Sequence, residues 1–215
     1  MIAQACRNHH EQRSPKRNVT QWIENPTGGR DRGAVALARA WLEVLVRPRR
    51  FFAAGVAPGD QAPGLVFAMA VVAIEEATRF ALVPDAYPVI ADRPLASAAV
   101  ALVAAAGFIA PLALHLMAAI ETLALAGLAG DRAGVSETVQ LIAYAIAPCV
   151  FAGVPVPGLR VLCACYGAAL LVVGTATVHG IGIGRAAVAA ALPGIVVFGY
   201  AFRGFGAAAA LVAAV

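Results

Sequence analysis

The sequence has 215 residues, of which 61% are hydrophobic and 13% are charged, and its formal net charge is +4. Soluble domains contain about 25% charged and about 45–50% apolar residues, so this composition excludes an ordinary soluble protein. Several apolar runs approach or exceed the roughly 20 residues that cross the hydrocarbon core of a bilayer as a helix. The sequence therefore predicts an all-α, polytopic transmembrane helical bundle.

The polar N-terminal part is predicted to contain two segments. Residues 1–31 are rich in basic residues and have no hydrophobic periodicity, which indicates a disordered basic tail. Residues 32–52 predict a cytoplasmic, interfacial amphipathic helix that ends in a basic-aromatic anchor. The polar side of this helix would carry Arg32, Arg39, Glu43 and Arg47, and its apolar side Leu37, Trp41, Val44 and Leu45.

Basic and aromatic side chains surround the end of this helix. Pro48 is expected to end it, because proline interrupts helical hydrogen bonding. The alternative is a helix packed on a soluble core, but the sequence contains no other soluble part. We therefore expect contacts with anionic headgroups of the lipid bilayer, or with a protein partner, from Trp41, Arg47, Arg49, Arg50, Phe51 and Phe52.

About five membrane spans are predicted within residues 63–203. The second is longer than a bilayer requires, so we expect tilt, a projecting end or a kink near Pro111. Residues 204–215 form an apolar C-terminal tail that is too short to cross alone and either extends the fifth span or lies at the interface. The predicted spans cover residues 63–83, 95–128, 138–154, 158–178 and 186–202.

The distribution of basic residues predicts the orientation. Residues 1–52 contain ten basic and four acidic residues, a net charge of +6, whereas the remaining residues contain six basic and eight acidic, a net charge of −2. Basic segments favour the cytoplasmic side of a membrane. We therefore expect a multi-pass protein of the cell membrane with a cytoplasmic N-terminus, and five spans then place the C-terminus outside.

Three charged residues lie inside the first predicted span. Arg79 follows Glu75 by four residues and Glu76 by three, so on a helix it could reach both carboxylates. An isolated charge at the bilayer centre costs about 2.5–3.5 kcal/mol, and one negative charge remains after this pairing. We expect a hydrated groove or a partner from another span to compensate it, with His115 of the second span as the best candidate.

Together with Glu121, these residues form the candidate intramembrane polar cluster. Glu121 lies about 120° around the helix from His115, so these two side chains do not share a face. The cluster could line an ion or proton path, fix the packing of the first two spans, or contact a partner or lipid. The structural interpretation is favoured, because the sequence shows neither the inverted repeats nor the paired broken helices of transporters.

Catalytic and metal-binding signatures are absent from the sequence. It contains neither G-x-S-x-G nor H-E-x-x-H, and the glycine-rich residues 179–185 lack the lysine and hydroxyl residue of a phosphate loop. Cys163 and Cys165 would lie on opposite faces of a helix, so they cannot easily share a metal. We expect a non-enzymatic protein with no catalytic, metal-binding or cofactor-binding residues and no nucleic-acid partner.

Residues 135–200 contain a recognisable order of features. An S-E-T-x-Q-x-x-A-Y-x-x-x-P run is followed by a short proline-containing turn, a glycine-bearing span that ends in V-H-G, and a span with an internal L-P. With the preceding RPRRFF segment, this order resembles the Yip1 domain family, in its prokaryotic or archaeal branch, over about residues 34–202. The positions that match the family pattern are Tyr144, Pro148, His179, Gly180 and Pro193.

The resemblance implies an all-helical, five-span membrane protein with a cytoplasmic N-terminus. It also implies that the matching positions form kinks, turns and interhelical hydrogen bonds. Eukaryotic members are associated with vesicle trafficking and with small GTPases of the Rab type.

Two function hypotheses follow from these observations. The first is a non-enzymatic membrane protein that binds a partner, forms a homo-oligomer or organises lipid through its basic cytoplasmic face. The second is a small transporter or channel that uses Glu75, Glu76, Arg79 and His115.

Overall fold

The computed structural model describes residues 33–130 and 132–214, and every regular element within them is helical. The predicted disordered tail, residues 1–31, lies outside the described residues. A 3₁₀ helix and two π-helical turns supplement the α-helices. The α-helices of the described residues are α1 (Ala34–Val46), α2 (Pro48–Gly55), α3 (Ala62–Leu82), α4 (Pro94–Ala104), α5 (Ala110–Leu128), α6 (Val135–Ala145), α7 (Pro157–Val178), α8 (Ile183–Gly194) and α9 (Gly204–Ala213).

Two helical passes contain a π-helical turn. Residues Ala105–Ile109 join α4 to α5, so that Pro94–Leu128 is one helical pass of 35 residues. This turn ends just before Pro111, where the sequence predicts a kink, since proline cannot donate the regular helical hydrogen bond. In the same way, α8 continues into the π-helical turn Ile195–Ala201 just after Pro193.

Three helical passes among the described residues are long and apolar enough to cross a membrane: Pro94–Leu128, Pro157–Val178 and Ile183–Ala201. The other two predicted spans correspond to helices outside this group. α3 has 21 residues but carries three charged side chains. α6 and the 3₁₀ helix Ala147–Phe151 that follows it form a shorter apolar helix.

α6 forms the centre of the bundle. All residues from Thr138 to Ala147 are buried, and α3, α5 and α7 each pack against this helix. The Tyr144 ring contacts Phe51 and Phe67 edge to face, with ring centroids 4.8 Å and 5.1 Å away. Such contacts favour a fixed arrangement of the three rings, because aromatic quadrupoles attract most strongly in edge-to-face or offset geometry.

α1 packs along the bundle. Trp41 Nε1 donates a hydrogen bond to the Ala147 carbonyl at 2.9 Å, and the Tyr166 hydroxyl donates to the Leu45 carbonyl. Because Tyr166 lies in the middle of α7, α1 must reach the middle depth of the bundle. The apolar side of the helix, including the fully buried Val44, therefore faces other helices, and the interfacial position of α1 stays a prediction.

Pro48 ends one helix and begins the next. It is the first residue of α2, where its missing N–H would have no helical acceptor in any case. Phe51 and Phe52 are only 0% and 1% exposed, and the Phe52 ring packs against Gly174 of α7. The prediction that these two rings contact the membrane surface is wrong: they hold α2 in the core, where they bury a large apolar area.

The apolar C-terminal tail folds back on the bundle. Arg203 adopts a left-handed conformation with φ of 60°, which reverses the chain before α9. α9 then packs against α7, where a Cβ added to Gly204 would lie 2.9 Å from the Ala164 side chain. The described part of the tail therefore does not extend the fifth predicted span.

Candidate functional sites in the bundle

Two carboxylates and two guanidinium groups form an ionic cluster of Glu75, Glu76, Arg79 and Arg203. The Arg203 guanidinium binds the Glu75 carboxylate, and its Nη1 lies 3.3 Å from Glu76 Oε1. Arg79 binds Glu76 Oε2 through Nε at 2.9 Å and Nη2 at 2.6 Å. Two negative and two positive charges therefore balance within the cluster.

The partner of Glu75 differs from the predicted one. Arg79 pairs with Glu76, three residues before it, as the helical spacing predicts, but Glu75 pairs with Arg203 from the junction of α8 and α9. Sequence reasoning missed Arg203 because it was considered only as the end of a span. The available signal was charge balance: α3 has one uncompensated negative charge, so a cation from another helix was required.

Close backbone packing holds Glu75 in the interior, where it is 1% exposed. A Cβ added to Gly153 would lie only 2.1 Å from the Glu75 carbonyl oxygen, so only glycine lets the turn between α6 and α7 approach α3 this closely. Arg160 of α7 supports the same turn, since its Nε donates to the Ala152 carbonyl at 2.9 Å.

A cavity of about 280 Å³ adjoins the ionic cluster. Glu75 and Glu76 form part of its wall, and the remaining wall consists mainly of apolar side chains from α3, α5, α6 and both π-helical turns. π-helical turns inside α-helices frequently occur at functional sites. The cavity offers space for water or a small ligand beside two charged groups.

His115 is not part of the ionic cluster. Its side chain is exposed, and its Nδ1 lies 2.7 Å from the Pro111 carbonyl oxygen in the same helix. Because a carbonyl oxygen only accepts hydrogen bonds, Nδ1 carries the hydrogen and donates it to the backbone of its own helix. The prediction that His115 compensates the carboxylates of α3 is wrong.

A second group, the Glu121 cluster, contains Glu121, Thr122, Thr138, Thr175 and His179. Glu121 is fully buried, and its Oε1 lies 2.5 Å from Thr175 Oγ1. Thr122 and Thr138 hydroxyls are 3.3 Å apart, and Thr138 Oγ1 lies 3.4 Å from His179 Nε2. No arginine or lysine of the described segments pairs with Glu121, so the Thr175 hydroxyl is the polar group that contacts it instead of a counter-charge.

His179 follows the last residue of α7 and is 3% exposed. Burial lowers the pKa of His179 to about 4, because the interior disfavours the charged ring. Its Nδ1 has no hydrogen-bond partner among the described residues. The ring is therefore neutral at pH 7 and supplies no positive charge to Glu121.

The predicted surface residues separate into two groups. Arg47, Arg49 and Arg50 are exposed around the junction of α1 and α2, as a surface contact requires. Trp41 is half-buried and packs edge to face on Phe151, with ring centroids 5.8 Å apart. Only the three arginines remain available for contacts outside the bundle.

The family-pattern positions occupy bends and the core. Tyr144 is a core ring, and Pro148 lies in the first turn of the 3₁₀ helix. Gly180 has φ of +64°, a left-handed conformation that glycine adopts without strain, at the turn after α7. Pro193 precedes a π-helical turn, and His179 contacts the Thr138 hydroxyl.

The described residues contain no group of three or more potential metal ligands. Cys149 and Cys163 are buried free thiols, and Cys165 is an exposed one.

Comparison with known proteins identifies the fold family. The Yip1 domain profile matches residues 42–203, which is well over half of the chain. No curated protein and no solved structure matches the chain significantly. The match extends from α1 to Arg203 and includes three apolar helical passes, so this is a multi-pass transmembrane protein. The chain belongs to the Yip1 domain family.

Proposed function

We propose that this protein is a non-enzymatic component of the cell membrane that binds anionic lipid headgroups through a basic surface of α1 and α2. The observation that carries the proposal is the exposure of Arg47, Arg49 and Arg50 around the helix junction. Within the described residues no carboxylate pairs with these guanidinium groups. Unpaired arginines beside an apolar bundle are typical of a surface that attracts anionic headgroups.

The attachment of α2 makes this surface rigid. Phe51 and Phe52 are buried directly after Arg49 and Arg50, so the two guanidinium groups project from an anchored helix. The outward side of α1 also exposes apolar side chains beside Arg39, namely Val35, Leu42 and Val46. This combination of apolar and basic groups suits a boundary between hydrocarbon and headgroups.

The topology belongs to the same proposal. Five passes through the membrane are formed by α3, by α4 with α5, by α6 with its 3₁₀ helix, by α7, and by α8 with its π-helical turn. The N-terminus is cytoplasmic and the C-terminus lies outside, supported by the net charge of +6 in residues 1–52. The order of features in residues 135–200 supports the prokaryotic or archaeal branch of the family.

Photo-crosslinking in native membranes tests the basic surface. Replacing Arg47, Arg49 and Arg50 by glutamine should remove crosslinks to anionic phospholipid, at about 1 kcal/mol of binding free energy for each arginine. Arg93→Gln is the matched control, because Arg93 is exposed at the start of α4. Crosslinks that survive the triple replacement contradict the proposal, and crosslinks to one acidic protein identify a partner instead of lipid.

Labelling of Cys6 with a membrane-impermeant maleimide tests the orientation. Cys6 should react in inverted vesicles and stay unmodified in sealed cells. Labelling from outside the cell would overturn the cytoplasmic N-terminus. It would also make α1 and α2 a further pass through the membrane.

A small transporter or channel is the second candidate function, favoured by the cavity beside Glu75 and Glu76. Vesicles that contain the protein would then conduct an ion or proton flux. Glu75→Gln and Glu76→Gln should abolish the flux while the protein remains folded. An unchanged flux in these variants excludes the ionic cluster as the path.

A further inference from the structure

The further inference concerns Glu121, a buried acid that the proposed function does not use. Its residue exposure is 0%, and its Oε2 has no hydrogen-bond partner among the described residues. α5 places it about two turns before Leu128, against α7. An ionised carboxylate without a counter-charge is very costly in such a site, so the protonation state of this group requires an explanation.

Five basic residues of the described segments are candidates to compensate a negative charge at Glu121. Arg203 and Arg79 bind the α3 carboxylates in the ionic cluster. His179 contacts Thr138 and is neutral at pH 7. Arg132 and Arg185 are exposed. None of these cations contacts Glu121.

The hydrogen bonds of Thr175 indicate where the proton lies. Thr175 Oγ1 is 2.9 Å from the Leu171 carbonyl oxygen and 2.5 Å from Glu121 Oε1. A hydroxyl group has one hydrogen to donate, and a carbonyl oxygen can only accept. If Thr175 donates to Leu171, the hydrogen between Thr175 and Glu121 must come from the carboxyl group.

The opposite assignment leaves a worse arrangement. If Thr175 donated to an ionised Glu121, the carboxylate would hold a full charge with one hydrogen bond and one bare oxygen in the interior. With the proton on Oε1, the group is a neutral acid, and only a carbonyl-like Oε2 lacks a partner. A missing hydrogen bond to a neutral group costs about 1–3 kcal/mol, much less than an unpaired buried charge.

We propose that Glu121 forms a proton-binding site between α5 and α7, in which the carboxyl group holds a proton that it donates to Thr175. The site is closed, since both residues are fully buried. The proton can therefore exchange only when the bundle opens around Glu121 and Thr175. Packing at this point and occupancy by the proton are coupled, because loss of the proton would leave an unpaired charge in the interior.

Infrared spectroscopy of the purified protein in lipid tests the site. The carbonyl stretch of a protonated carboxylic acid should be present at neutral pH and should be lost in Glu121→Gln. Glu137→Gln is the matched control, because Glu137 is a half-exposed acid of α6, and it should leave the band unchanged. A band that persists in Glu121→Gln, or its absence from the unaltered protein, overturns the proposal.

A second variant, Thr175→Val, tests the site even if Glu121→Gln fails to fold. Thr175→Val removes the hydrogen-bond acceptor and keeps the acid, so the band should shift without disappearing. Transfer into D₂O should shift the frequency of the band slowly, at the rate at which the bundle opens around Glu121. A band that Thr175→Val leaves unshifted contradicts the site, as does a band that exchanges as fast as that of an exposed acid. Loss of the band on addition of sodium or potassium ions would also contradict it, because a metal ion would then occupy the site in place of the proton.

Discussion

The ionic cluster and the Glu121 cluster bury carboxyl groups in one bundle by two different means. Glu75 is 1% exposed and Glu121 is 0% exposed, so both groups lose their hydration almost completely. Glu75 receives a guanidinium group from another helix, whereas Glu121 receives a threonine hydroxyl. The difference shows that burial alone does not determine whether a carboxyl group in this bundle is paired with a cation.

The two solutions have different consequences for packing. The ion pair joins α3 to the junction of α8 and α9, segments that are distant in sequence, and it leaves both partners charged. Removing one partner of a buried pair exposes the other to the full desolvation penalty. With Glu121 protonated as proposed, the contacts of the Glu121 cluster join neutral groups, and each one contributes little by itself.

The largest effect is expected from Arg203→Gln. It leaves Glu75 buried without its cation, so we expect a loss of about 3–5 kcal/mol in the free energy of unfolding. Denaturant unfolding of the purified protein in micelles measures this. The double variant Glu75→Gln with Arg203→Gln should recover a large part of the loss, and a double variant as unstable as Arg203→Gln alone would contradict the pairing.

Gly153→Ala should have the next largest effect. The added methyl group would lie 2.1 Å from the Glu75 carbonyl oxygen, so the turn must move away from α3 and weaken the support of the ionic cluster. Overpacking of this kind costs about 1–3 kcal/mol. Gly158→Ala is the control, because no atom lies within 4 Å of its added Cβ. Equal stability of the two variants in thermal unfolding would rule out this close approach.

The sequence predicted the bounds of several helices well because their apolar runs and proline-containing boundaries are local signals. α3 and α7 begin and end within a residue or two of the predicted spans, and a π-helical turn ends just before Pro111. The position of α1 was not predictable in the same way. An apolar helix face fits a bilayer surface and a protein surface equally well, and no local pattern indicates that Trp41 donates to the Ala147 carbonyl.

The ionic cluster was predictable only in part. Spacing along one helix gave the pair of Glu76 and Arg79, because residues three apart are neighbours. The pair of Glu75 and Arg203 depends on where the fold places the junction of α8 and α9 relative to α3, which no local pattern contains. Likewise, helical periodicity separated Glu121 from His115, but only the fold brings Glu121 to Thr175.

A smaller effect is expected from pH, through His179. Its folded-state pKa of about 4 lies below the ordinary value of 6.5, so the unfolded chain binds the proton more readily. The contribution of neutral His179 to stability is fully present above about pH 6.5 and decreases as the pH falls toward 4. Melting temperatures between these values should fall less steeply in His179→Gln. His115→Gln, an exposed control, should follow the unaltered protein.

The smallest effect is expected from Thr122→Val, which removes one neutral contact of the Glu121 cluster. The Thr122 and Thr138 hydroxyls are 3.3 Å apart, long for a bond between hydroxyl groups, so its loss should cost about 0.5 kcal/mol or less. Thr177→Val is the control, because this half-buried threonine bonds only to the Val173 carbonyl of its own helix.

The small loss of stability expected for Thr122→Val contrasts with the large loss expected for Arg203→Gln. In a cluster without charges, removal of one side chain should cost little stability. In a buried ion pair, removal of one partner leaves the other charge unpaired and costs much more. A loss of several kcal/mol in Thr122→Val would show that the hydroxyl groups act cooperatively around Glu121. The two buried carboxyl groups would then differ in charge alone, and not in how much their neighbouring side chains contribute to the free energy of unfolding.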